Sequence, residues 1–264
     1  MTPARSPTRL GPLLAVVTVG MAVRLLVIWS GWVEGRIISD DSFYYFRIAS
    51  NLAEGNGSTF DGLAPTNGYH PLWLWLLVPI YQLFGDSLWL PVRMAITLSA
   101  IFDLGTGVLL VRILGSLTGG RGALVATGFW FLSPFTVLLG LRGTEASLNA
   151  FLVMAVLWAL TRTAGDGRGP TLRAGLLTGS LLALAGLART DNLPSLGLAL
   201  VVFSLALVRS RPEVRPRPTL GWFLTTGVTA LLLVSPWLAW NAVNFGSIVQ
   251  VSGLAKLHYM IGGG

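Results

Sequence analysis

From its N-terminus onward the chain alternates long apolar runs with short polar breaks. Apolar stretches cover residues 10–31, 88–114, 122–141, 146–161, 172–188, 193–208 and 219–240. Several approach or exceed the roughly 20 residues that a helix needs to cross a hydrocarbon core of ~30 Å. A barrel would instead show strands of ~10 residues with alternating polarity. The pattern therefore predicts an all-α, polytopic membrane protein: about seven transmembrane helices forming one transmembrane domain over residues 1–264. One further apolar run, Pro71 to Phe84, is only fourteen residues long, short for a crossing.

Composition agrees, with 53% hydrophobic and 11% charged residues and a mean hydropathy of +0.70. The net charge of +7 does not point to nucleic acid, because the basic residues sit in short loops between apolar runs. The absence of cysteine excludes disulfides, thiolate metal sites and a cysteine nucleophile. The basic N-terminus followed by apolar Leu10 to Gly31 reads as an uncleaved first span, since the apolar part is long for a signal peptide.

Charge decides what the short run does. If residues 71–84 lie at the surface without crossing, one face collects Arg5, Arg9, Arg112, Arg121, Arg162, Arg168, Arg173, Arg209, Arg211, Arg215 and Arg217 against only Asp166 and Glu213. That asymmetry is the positive-inside pattern and sets the N-terminus in the cytoplasm. If the run crossed, the basic "RSRPEVRPRP" loop would fall outside. The first extracytoplasmic loop is then 32–87, with juxtamembrane helices, and carries the polar insert Ser39 to Trp73.

On this topology the remaining polar clusters gather on the outer face. Asp40 and Asp41 follow the first span, with "PTNGYHPLW" next, then "LRGTEAS", "LARTDN" and "SPWLAWNAVNFG" continuing to "VSGLAK". Adjacent helical carboxylates point about 100° apart, so one can face a substrate hydroxyl while the other takes a cap or a metal; the competing reading is a helix N-cap. Arg142 and Glu145, spaced i, i+3, form either an exposed ion pair or a phosphate site in which Glu145 orients the guanidinium or an acceptor sugar. Arg189 and Asp191 pose the same alternatives. His70, before Pro71, is either structural or a ligand of substrate or metal. Arg24 and Asp103 fall inside spans, where charge is expensive and points to function. Counted along their helices they sit at different depths, so snorkelling toward opposite surfaces competes with direct pairing.

The run "DDSFYYFRIASNLAEGNGSTFDG" with "PTNGYHPLW" resembles the first extracytoplasmic loop of GT-C superfamily glycosyltransferases, such as mycobacterial arabinofuranosyltransferases and protein-mannosyltransferase-like proteins. The resemblance implies transfer of a sugar from a polyprenyl-phosphate donor to an acceptor hydroxyl on a glycan, lipid or protein. It makes Asp40 the expected general base, with Asp41 assisting or coordinating. Arg142, Arg189 and Lys256 would stabilise the leaving phosphate, while His70 and Glu145 shape the donor or acceptor site. A divalent metal, which some relatives use, would fall to Asp40 or Asp41. Members of this superfamily are usually longer, so the alternative expectation is an inactive accessory subunit packed against other membrane proteins. Arginine outnumbers lysine 17 to 1, which suggests a GC-rich bacterial source.

Overall fold

The computed structural model describes residues 10–165, 170–210 and 216–253. Ten helices follow in order: α1 (Leu10–Trp29), α2 (Asp40–Ala53), α3 (Pro71–Phe84), α4 (Leu90–Thr118), α5 (Gly120–Leu132), α6 (Pro134–Leu141), α7 (Ala146–Gly165), α8 (Leu172–Ala188), α9 (Asn192–Ser210) and α10 (Pro216–Phe245). Helices α1, α4, α7, α9 and α10 are long and apolar enough to cross a membrane, and the bent pair α5 and α6 makes a sixth candidate. The protein is an all-α, multi-pass membrane protein. Both short helices of the first loop form where the polar insert and the fourteen-residue run predicted them.

Two spans depart from expectation. The stretch 122–141 is not one straight helix, because it breaks at Ser133 and bends by 52° between α5 and α6. Pro134 has no N–H for the Trp130 carbonyl four residues back, and its ring excludes a continuous helix. Helix α8 has 17 residues, about 26 Å at 1.5 Å per residue, somewhat less than a full hydrocarbon core.

Small residues let the helices approach. Gly20 of α1 and Gly107 of α4 hold the buried Phe131 ring of α5 between them, since a Cβ at either would lie within 2.6 Å of that side chain. On α8, Gly175 and Gly179 form a small-xxx-small face. A Cβ at Gly179 would fall 2.5 Å from the Thr226 carbonyl of α10, and the Thr226 hydroxyl donates to the Gly175 carbonyl (3.3 Å). Lipid chains are as apolar as leucine, so close backbone approach and interhelical hydrogen bonds drive this pairing in place of hydrophobic exclusion.

The two intramembrane charges meet. Arg24 Nε donates to Asp103 Oδ2 at 3.0 Å with both side chains buried, contrary to the expectation of unequal depth. The reason is that α4 begins beyond the end of α1. Glu34, past the last turn of α1, accepts from Arg93 Nε in the first turn of α4 (2.8 Å). Ten residues before Glu34 stands Arg24 and ten residues after Arg93 stands Asp103, so the two are level with one another.

Candidate functional site

At one end of the bundle the start of α2, the segment that leads into α3 and the helix-linking turns enclose a cavity of about 720 Å³. Five ionisable side chains on its wall leave from helix ends. Asp40 opens α2, His70 precedes α3, Arg142 follows α6, Glu145 precedes α7 and Arg189 follows α8. Helix ends suit this role because the side chains there are aimed by rigid elements yet stand clear of the apolar bundle.

The first loop is tied down at both sides. Ser39 occupies the N-cap position of α2, yet its side chain caps no backbone N–H; its hydroxyl shares a hydrogen bond with Ser42 Oγ (2.8 Å). Ser42 Oγ in turn donates to the Arg142 carbonyl (2.6 Å). Trp73 Nε1, fully buried, donates to the Gly143 carbonyl (3.1 Å). The "TNGYH" segment is held from α10 and beyond: Asn67 Nδ2 donates to Asn241 Oδ1 (3.0 Å), and Asn67 Oδ1 accepts from the Val251 amide (3.0 Å). Gln250 completes the clasp by donating to the Tyr69 carbonyl. Buried amide side chains in such numbers serve to satisfy an irregular backbone that has no helix or sheet of its own.

Glu145 is the centre of the charged wall. It is 7% exposed and lies 3.5 Å from Arg189 Nη1 and 3.9 Å from His70 Nε2. The Tyr45 hydroxyl, which accepts from the His70 amide (2.9 Å), stands beside it. Burial first, then the Glu145 anion, pushes the Tyr45 phenol well above its ordinary range. The Thr190 amide donates to His70 Nδ1 (3.3 Å), so a neutral imidazole carries its proton on Nε2, toward Glu145. Arg189 forks onto Asp191 through Nε (3.1 Å) and Nη2 (3.0 Å). That fork holds the Asp191 carboxyl below its usual range and raises Arg189 further.

Asp40, Asp41 and Arg142 face the same cavity and are exposed. Among the described residues none of the three has an ion-pair partner; Asp40 Oδ1 accepts only the neighbouring Asp41 amide (3.0 Å). The expectation that Glu145 orients Arg142 is corrected: the turn between them, with Gly143 at φ +83°, sends Glu145 inward to Arg189 and His70. Asp191 is 64% exposed and acts on the cavity wall through Arg189. Lys256 lies outside the described residues. Arg36, whose guanidinium packs over the Trp32 ring, is a further cation on the wall that the motifs did not single out. Tyr45 and Thr190 were also missed. An aromatic in an amphipathic helix and a threonine in a turn carry no signal until their distant partners are known. Among the described residues no three His, Asp or Glu side chains converge closely enough to hold a metal ion, and none of them joins Asp40 and Asp41 as a third ligand.

Residues 66–240 match the family described as dolichyl-phosphate-mannose-protein mannosyltransferase. The chain is similar to GPI mannosyltransferase 1 of Eremothecium gossypii, with 32% identity over 121 residues covering 44% of this chain and 27% of that protein. The Saccharomyces cerevisiae protein of the same name is 32% identical over 129 residues (47% and 29%), and that of Dictyostelium discoideum 28% identical over 155 residues (56% and 33%). The chain thus spans about a third or less of the length of these relatives. They are eukaryotic, which runs against the bacterial source suggested by the arginine excess. No solved structure matches.

Proposed function

The chain belongs to the dolichyl-phosphate-mannose-protein mannosyltransferase family, within the GT-C membrane glycosyltransferases, and from that premise we propose that it transfers a mannosyl group from a polyprenyl-phosphate donor to an acceptor hydroxyl. The observation that carries this reading is the pairing, on one cavity wall, of unpartnered carboxylates with guanidinium groups. Asp40, with Asp41 beside it, accepts the proton of the acceptor hydroxyl as that oxygen attacks the anomeric carbon. The bond from that carbon to the phosphate oxygen breaks, and the phosphate departs with the electron pair. Arg142 and Arg36, which have no carboxylate partner among the described residues, stabilise the charge developing on the phosphate, for which a guanidinium fork is well shaped. Arg189 is already neutralised by Asp191 and Glu145; together with His70 and Tyr45 it holds the wall in shape. The acceptor is a glycan, lipid or protein presented at the membrane surface. The arginine-rich ends of the spans face the cytoplasm and the cavity opens on the extracytoplasmic side of the membrane.

The test uses the full chain in lipid nanodiscs with a radiolabelled polyprenyl-phosphate mannose and a panel of hydroxyl acceptors. Asp40→Asn is expected to lower turnover by roughly 10²- to 10⁴-fold, the usual contribution of a general base. Helical circular dichroism should stay unchanged. If Asp40→Asn and Asp41→Asn both turn over like the parent, neither is the base. A parent that never turns over, yet co-purifies with other membrane proteins, would make it the accessory subunit instead.

A further inference from the structure

The proposed reaction leaves Arg24 and Asp103 unused, although they are the most deeply buried charges among the described residues, at 1% and 2% exposure inside α1 and α4. Such a pair is a poor device for stability. Desolvation offsets its attraction, and an apolar pair of similar volume is often equally stable. Charge within a span points to function by default.

What surrounds the pair shows what it holds. Arg24 Nη1 donates to the carbonyls of Gly20 (3.1 Å) and Phe131 (2.9 Å), and Nη2 donates to that of Trp130 (3.3 Å). The Trp130 carbonyl is the one that Pro134 cannot serve, so Arg24 caps the C-terminus of α5 from a different helix, helped by the Thr136 hydroxyl (2.6 Å). Asp103 reaches the other way. Its carboxylate faces the Ser147 hydroxyl in the first turn of α7. It also lies against Gly140 in the last turn of α6, where a Cβ would stand 2.6 Å from Asp103 Oδ2 and 3.3 Å from Ser147 Oγ. Gly140 and Ser147 bracket the turn Leu141–Glu145. The two functional side chains Arg142 and Glu145 leave from that turn, and its carbonyls receive Ser42 and Trp73 from the first loop.

We propose that Arg24 and Asp103 are a positioning pair beneath the cavity, locking the broken span and the turn that carries Arg142 and Glu145, and thereby setting the donor-phosphate site; this rests on the transferase reading above. The pair touches no substrate. It acts by fixing where α6 ends and α7 begins, from a depth at which water cannot compete for its hydrogen bonds.

The decisive variant is Arg24→Met combined with Asp103→Leu, which removes both charges and leaves none unpaired. In the cysteine-free chain, spin labels at Leu88→Cys and Thr144→Cys report the position of the turn. The parent should give a narrow distance distribution and the double variant a broad or displaced one. In the transfer assay the double variant should lose about 100-fold in kcat/KM, as expected for a displacement of about 1 Å. Arg142→Ala should then cost little in that background although it is costly in the parent. An unchanged distance distribution, or a full Arg142→Ala effect in the double variant, would overturn the proposal. Should the double variant lose its helical signal, Ser147→Ala keeps the ion pair and should still broaden the distribution; if it does not, the inference fails. A parent without turnover sinks the transferase reading alone, because the label distances still decide the positioning role.

Discussion

Replacing Glu145 by glutamine keeps its volume and a polar group beside the Tyr45 hydroxyl, but removes the charge facing Arg189 and His70. At the 3.5 Å that separates Glu145 from Arg189, two unit charges attract by about 5 kcal/mol at an effective dielectric of ~20. Most of that does not survive. Arg189 is 39% exposed and remains forked by Asp191, while burial of the Glu145 carboxylate opposes the gain. A net coupling of about 1 kcal/mol is expected. Thermal melts of the Glu145→Gln and Arg189→Gln variants, singly and together, isolate it as a double-mutant cycle. For a chain of this size about 1 kcal/mol corresponds to roughly 2–4 °C in Tm, and the double variant should lose less than the two singles combined. Glu145→Ala should cost about 1–3 kcal/mol more than Glu145→Gln, because it also empties space in the wall and leaves the buried Tyr45 hydroxyl without this polar neighbour. A coupling within about 0.3 kcal/mol of zero, the usual limit for independent sites, would refute the idea that Glu145 ties α7 to the end of α8.

Alkaline titration tests the buried phenols. Burial raises the pKa of Tyr81, and burial with the Glu145 anion raises that of Tyr45. A raised folded-state pKa contributes stability that is complete below the unfolded value of about 10 and is lost as pH climbs toward the folded value. Ultraviolet absorbance should therefore show both ionising only as the helical signal collapses; ionisation while the helices persist would count against their burial. Trp73→Phe removes the hydrogen bond to Gly143 from a fully buried site and should cost about 1–3 kcal/mol in a denaturation assay; no loss would mean the first loop is not anchored there. For topology, a membrane-impermeant maleimide on intact cells should label Asn56→Cys, and should label Arg173→Cys only after permeabilisation. The reverse pattern would invert the proposed orientation.

Much of the fold is visible in the chain because a bilayer imposes a length and a polarity on each segment separately. Apolar runs located most of the candidate spans, and the fourteen residues Pro71 to Phe84 announced a helix shorter than these. The cluster of Asp40, His70, Arg142, Glu145 and Arg189 was legible as a set for the same reason: each belongs to a polar break that can only fall at a helix end. Their partners were not legible. Glu145 sits three residues from Arg142 in sequence, but pairs with an arginine 44 residues away and a histidine 75 away.

Hydropathy and charge are properties of short segments, so they suffice to specify an all-α membrane protein and the polar residues available to one of its ends. Tertiary structure alone decided that Arg24 meets Asp103, that Glu145 turns from Arg142 to Arg189, and that the span 122–141 breaks at Pro134 with Arg24 serving its stranded carbonyls. Each of these depends on the relative height and rotation of packed helices, which glycine contacts such as Gly20 and Gly107 on Phe131 set across long separations in the chain.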